Sequence, residues 1–234
     1  VHAHHPVIAA HRAQGKRVIF KDGDHLAAAV GSVVVHRIAL QEIPITQAGQ
    51  IGFQVENVMS SVAAAWSLGV AWQAIDLALK DFVCDGQNAP GRFNLFKHRG
   101  ATVIADYGHN PDAIRALVQA TNCMPAKRRH VVISGAGDRR DEDIRQQTKI
   151  LGEAFDSVIL YQDQCQRGRA DGEVIALLKQ GLQGTTKVRE VQEIRGEFLA
   201  IDTALDQLQA DDLCLILIDQ VEQSLDYLHK VTQP

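Results

Sequence analysis

From about residue 91 to the C-terminus, short apolar runs alternate with amphipathic stretches, and this alternation restricts the fold more than any other feature of the chain. Residues 102–106, 130–134, 157–161, 187–191 and 213–219 read as strands, and 111–121, 141–155, 171–181, 196–209 and the C-terminal segment read as helices. Strands that alternate with helices of this length pair in parallel, through right-handed crossovers that cover both sheet faces. The expected fold class is therefore α/β, a Rossmann-like open and mostly parallel sheet over 91–234. In such sheets ligands bind outside the carboxyl ends of the strands. That singles out the loops 106–112, 135–143 and 161–171 before any residue is given a role.

The first part of the chain is patterned differently. Short apolar runs separated by turn residues, with Asp22-Gly23 as a hairpin signal, precede helices predicted over 55–68, closed by Gly69, and over 71–82. Residues 84–92 (CDGQNAPGR) lack periodicity and are rich in Gly, Asn and Pro, as a linker would be. The expected division is thus 1–90 and 91–234. With 234 residues, 46% of them hydrophobic, the chain can bury a sizeable core.

Charge and cysteine usage exclude several classes of function. A formal charge of -4, with the basic residues scattered, gives no nucleic-acid footprint. Cys84, Cys123, Cys165 and Cys214 form no C-x-x-C pair, which points to a reduced, cytoplasmic protein. No apolar run reaches the roughly 18 residues of a membrane span, so no membrane partner is expected. His2, His4 and His5 have no carboxylate or cysteine nearby to complete a metal site and read as a solvated, partly disordered terminus. A start at Val1 rather than methionine reads as a fragment. A homo-oligomer stays open.

The sequence ATVIADYGHNPDAIR, from Ala101 to Arg115, carries the densest chemistry. Asn110 suits a helix N-cap, Pro111 the first helical position, and Asp112 the positive end of the helix dipole. Turn chemistry needs none of Asp106, Tyr107 and His109. An acid at the end of a strand is placed to accept hydrogen bonds from ribose hydroxyls, and a capped structural turn is the competing reading. In the second loop, SGAGDRRDED, Arg140 stands where G-x-G-x-x-G requires its third glycine, which argues against NAD. There two flexible glycines accompany Asp138, Arg139, Arg140 and Asp141, a set suited to a charged substrate or phosphate, or else to pairing among themselves. In the third loop, Arg167 and Arg169 flank Gly168 as anion candidates, while Cys165 has no histidine base beside it. No G-x-x-x-x-G-K-[ST] phosphate loop occurs in the chain.

NAPGRFN at 88–94, then DYGHNPDAI, then SGAGDRRDEDI resembles, in that order, the C-terminal region of the Mur ligase superfamily, and most closely its cyanophycin-making branch. VENVMSSVAAAWSLGV at 55–70 resembles the helix that closes the superfamily's central ATPase domain. The resemblance implies that 1–90 is the remainder of that central domain and 91–234 a C-terminal lid that closes about a hinge at 86–91. It implies an ATP- and Mg-dependent amide ligase joining arginine to the aspartate side chains of a polyaspartate (cyanophycin) primer through an acyl phosphate. Carried over by position, Asn57 would contact adenine, Arg92 the phosphates and Asp106 the ribose, with Tyr107 and His109 lining the nucleotide pocket. Gly137, Asp138, Arg139 and Arg140 would face the incoming substrate or the transferred phosphate. The phosphate loop and magnesium ligands would lie upstream, so the isolated chain is expected to be inactive. A non-catalytic module derived from such a ligase, and a folylpolyglutamate synthase-like ligase, are the alternatives.

Overall fold

The computed structural model describes residues 2–162 and 166–232, and the chain divides into two compact units, Val1–Val83 and Cys84–Pro234. Among the described residues, no helix is long and apolar enough to cross a membrane.

The first unit begins with a helix, α1 (Pro6–Ala13), which was not expected from sequence. His5 Nδ1 accepts from the Val7 N–H, Pro6 takes the first helical position, and the Arg12 guanidinium lies over the Phe20 ring while donating to the Gly31 and Ser32 carbonyls. The Arg12 contacts are tertiary, and local composition does not reveal them. β1 (Arg17–Asp22), β2 (His25–Val30) and β3 (Val33–Ala39) form a three-stranded antiparallel sheet. Asp22 pairs with His25 across the predicted hairpin, with Gly23 at φ +62°. Two 3-10 turns, Leu40–Glu42 and Pro44–Thr46, lead to α2 (Gly52–Ser67) and α3 (Trp72–Asp81). Leu26, Ile38, Val55, Val58, Val62 and Ile75 share one buried cluster.

The second unit runs β4 (Asn94–His98), β5 (Ala101–Asp106), α4 (Pro111–Asn122), β6 (Arg129–Ile133), α5 (Asp141–Gly152), β7 (Ser157–Gln162), α6 (Glu173–Leu182), β8 (Glu190–Arg195), α7 (Glu197–Gln207), β9 (Leu213–Leu217) and α8 (Val221–Val231). Its six strands lie in the order β4-β5-β9-β6-β7-β8, all parallel except the edge pair β4-β5. Val103, Ala105, Val132, Ile159, Cys214 and Ile216 pack on α7 and α8. Their alternates Ile104, Val131, Ile133, Val158, Leu160 and Leu215 point to the opposite face and are equally buried, under α4, α5 and α6. A sheet covered on both faces explains the continuous apolar runs.

Two elements differ from the sequence expectation. β4 was not expected: only Asn94 and Phe96 face inward, and a tight turn with Arg99 at φ +48° and Gly100 at φ +82° returns the chain to β5. β8 lies three residues beyond the predicted 187–191, because this polar edge strand shows only a weak apolar signal. The segment 84–92, expected to be a linker, is an ordered turn of the second unit. Asp85 Oδ1 accepts from the Gln87 and Asn88 N–H groups, and the buried Asn94 side chain bonds Gly91 N–H and the Ala89 carbonyl.

Candidate functional site

β5, β9 and β6 are neighbours, so the loops leaving their carboxyl ends converge. Asp106 closes β5 and is 6% exposed. Its Oδ2 accepts a 2.8 Å hydrogen bond from the Phe93 N–H, and Tyr107 N–H donates to the Gly91 carbonyl at 2.9 Å. Gly91 at φ +68° and Phe93 at φ +53° shape this approach, leaving the Arg92 side chain exposed beside the carboxylate. Burial pushes the Asp106 carboxyl up to about 6, against the opposing pull of the Phe93 N–H, Arg92 and His109. A buried acid with one oxygen engaged by backbone is costly for structure alone.

His109 is 8% exposed and packs against Tyr107 in a tilted arrangement, with ring centroids 4.2 Å apart and the planes at 48°. Its Nε2 lies 3.4 Å from Asp219 Oδ1, while the buried Nδ1 has no hydrogen-bond partner among the described residues. The Gln147 side chain, reaching from α5, donates to the His109 carbonyl at 3.2 Å. Asp219 also receives Arg167 Nη2 at 3.0 Å, and Arg167 continues to Asp138 at 3.5 Å. Asp219 was not singled out from sequence, although it follows the apolar run of β9 much as Asp106 ends that of β5. Asn110, Pro111 and Asp112 behave as expected: Asn110 Oδ1 caps α4 through the Ala113 N–H.

The second loop is tighter than two flexible glycines would make it. A Cβ on Gly137 would lie 2.1 Å from the Gln166 carbonyl oxygen, and one on Gly135 2.7 Å from Val174, so both glycines are required by close approach. Arg169, an anion candidate from sequence, is consumed internally, donating to the Gly137 and Arg139 carbonyls at 2.7 Å and pairing with Asp141 and Glu173. Arg140 pairs with Asp143 through two bonds of 2.8 and 2.9 Å, so the mutual-pairing reading holds for that residue. The Arg139 side chain makes no hydrogen bond or ion pair among the described residues. With His109, Asn110, Arg115, Asp143 and Gln146 it lines a cleft of about 430 Å³ at the N-termini of α4 and α5. Cys165 lies outside the described residues. Asn57 belongs to the first unit, exposed on α2 with its amide bonded to Gln54 at 3.1 Å.

Residues 91–217 match the family described as Mur ligase, glutamate ligase domain. The chain belongs to the Mur ligase family. Its relatives within that family include the cyanophycin synthetases of Trichormus variabilis (32% identical over 81% of this chain) and of Synechocystis sp. (28% over 95%). The chain spans 21% and 25% of their respective lengths. Among solved structures, a pseudomurein peptide ligase type C from Methanothermus fervidus aligns with TM-score 0.63 at 20% identity, covering 92% of this chain and 41% of that one. E. coli FolC in complex with DHPP and ADP aligns with TM-score 0.65 at 20% identity, covering 97% and 50%. At that identity the structural likeness shows the fold alone. The mostly parallel α/β sheet is that of the Mur ligase C-terminal domain.

Proposed function

We propose that the chain forms part of an ATP-dependent ligase that joins arginine to aspartate side chains of a polyaspartate (cyanophycin) primer. The buried Asp106 carboxylate carries this reading: one oxygen is held by the Phe93 N–H, and the side chain sits beside Arg92 and His109. Asp106 would accept from the ribose hydroxyls and Arg92 would meet the phosphates. Tyr107 and His109, whose Nδ1 has no hydrogen-bond partner among the described residues, would line the rest of the nucleotide pocket. Of the second loop, Arg139 is the side chain free to meet the charged substrate; Gly137 and Asp138 shape the turn, and Arg140 is held by Asp143. In the reaction the aspartate carboxylate attacks the γ-phosphorus of ATP, releasing ADP. The arginine amine then displaces phosphate from the acyl phosphate and forms the amide, losing a proton.

Among the described residues, no group of three or more His, Cys, Asp or Glu is placed to hold a metal ion such as magnesium. Without a G-x-x-x-x-G-K-[ST] loop, the purified 234-residue chain is expected to show no arginine- and primer-dependent ATP hydrolysis. In a longer protein carrying that loop, Asp106→Ala is expected to weaken apparent ATP affinity about tenfold or more, as for losing a hydrogen bond to a charged acceptor. Unchanged ATP affinity in that variant overturns the ribose role. ADP release that ignores arginine overturns the choice of amino acid.

A further inference from the structure

Glu197 is a buried carboxylate that the candidate site does not itself contain. It sits at the first position of α7, 2% exposed, after Gly196 at φ +96°. Its Oε1 accepts from the Asp219 N–H at 3.0 Å and from Ser224 Oγ at 2.6 Å. Its Oε2 accepts from the Gln220 N–H at 3.1 Å and more distantly from the Gln220 side chain at 3.5 Å. All these donors lie 22 to 27 residues downstream, beyond β9.

The choice of donors separates this carboxylate from an ordinary helix cap. A cap of α8 would accept from N–H groups inside its first turn, whereas Glu197 takes the amides of Asp219 and Gln220, which precede the helix. It thereby fixes the turn leaving β9 and little of α8 beyond Ser224. That turn carries one functional group to the site, the Asp219 carboxylate, 3.4 Å from His109 Nε2 and 3.0 Å from Arg167 Nη2. Burying a charge is expensive unless its hydrogen bonds are complete, and here three good donors complete them.

We propose that Glu197 is the positioning residue of this site: by gripping the Asp219–Gln220 backbone from the α7 side of the sheet, it sets the Asp219 carboxylate against His109 and Arg167. The consequence for nucleotide binding rests on the functional reading above, but the geometric claim is testable without ATP. In the 234-residue chain, labelled with ¹⁵N, Glu197→Gln is expected to move the His109 ring signals in the same direction as Asp219→Asn, while leaving those of His130 in place. Exchange of the Asp219 and Gln220 amides should rise about tenfold or more, the order expected for losing a charged acceptor. Glu197→Asp should recover part of both effects. A folded Glu197→Gln chain with unchanged His109 signals and unchanged exchange overturns the proposal. Should that variant not fold, Ser224→Ala removes one donor alone, and its His109 signals must shift in the same sense or the proposal fails. A chain that passes these tests yet binds no ATP in the longer protein keeps the positioning role and loses the nucleotide reading.

Discussion

In the second unit the central strand β9 is buried along its whole length, whereas in the first unit the edge strand β3 leaves Val33 63% exposed and Val34 and Val35 open to solvent. The helical side of the first unit is similar: Leu68 is 84% and Leu77 62% exposed. The second unit has helices on both sheet faces and closes its own core around the strand ends that carry the site. The first rests on smaller clusters. Apolar content alone therefore does not separate core from surface in this chain; the number of layers above each strand does.

The sharpest way to break that contrast is to cut into the better covered unit. Leu215→Ala, at a fully buried position of β9, is expected to cost about 3–4 kcal/mol in thermal or urea unfolding, as for other leucines truncated inside close-packed cores. A loss near 1 kcal/mol would mean that this core is loosely packed.

A smaller effect with the opposite sign is expected at Asp106. The carboxyl titrates near its ordinary value of 3.8 in the unfolded chain and is raised to about 6 in the fold, so the folded state holds its proton more tightly. Below about pH 4 the group is neutral in both states and costs nothing. As pH rises through the window from about 4 to about 6, stability falls, by an amount on the order of 3 kcal/mol at most. Asp106→Asn should remove that loss. Its stability advantage over the parent should grow across the window and then level off, measured as unfolding free energy against pH; a difference independent of pH would show that burial does not perturb this acid. The variant is expected to be more stable and, on the functional reading, poorer at binding nucleotide.

The smallest change belongs to the exposed strand. Val35→Thr keeps the β-branched shape on an open edge and should alter stability by less than about 0.5 kcal/mol. A cost above 1 kcal/mol in the same unfolding measurement would place Val35 inside a packed contact.

Much of the architecture was legible because periodicity reports burial directly. The parallel strands of the second unit were found where both faces are covered, and the Asn110-Pro111-Asp112 helix start was found because capping is local. Legibility failed where a signal depended on contacts distant in sequence. α1 is anchored by Arg12 on Phe20 and Gly31, β4 by pairing along β5, and β8 by a single neighbouring strand. The glycines of the second loop looked permissive in sequence, yet backbone and side chains from 30 or so residues away crowd them.

By itself, the sequence determined an α/β domain whose strand ends carry Asp106, Tyr107 and His109, since hydrophobic period and turn chemistry act over a few residues. Only the tertiary structure decided that Phe93 N–H engages Asp106, that Asp219 and Arg167 close on His109, that Arg169 and Arg140 are paired while Arg139 has no pair among the described residues, and that Glu197 holds the turn bearing Asp219. Apart from the local Arg140–Asp143 pair, those outcomes join groups far apart along the chain, and strand order, β9 inserted between β5 and β6, is set by how the whole sheet packs rather than by any local run of residues.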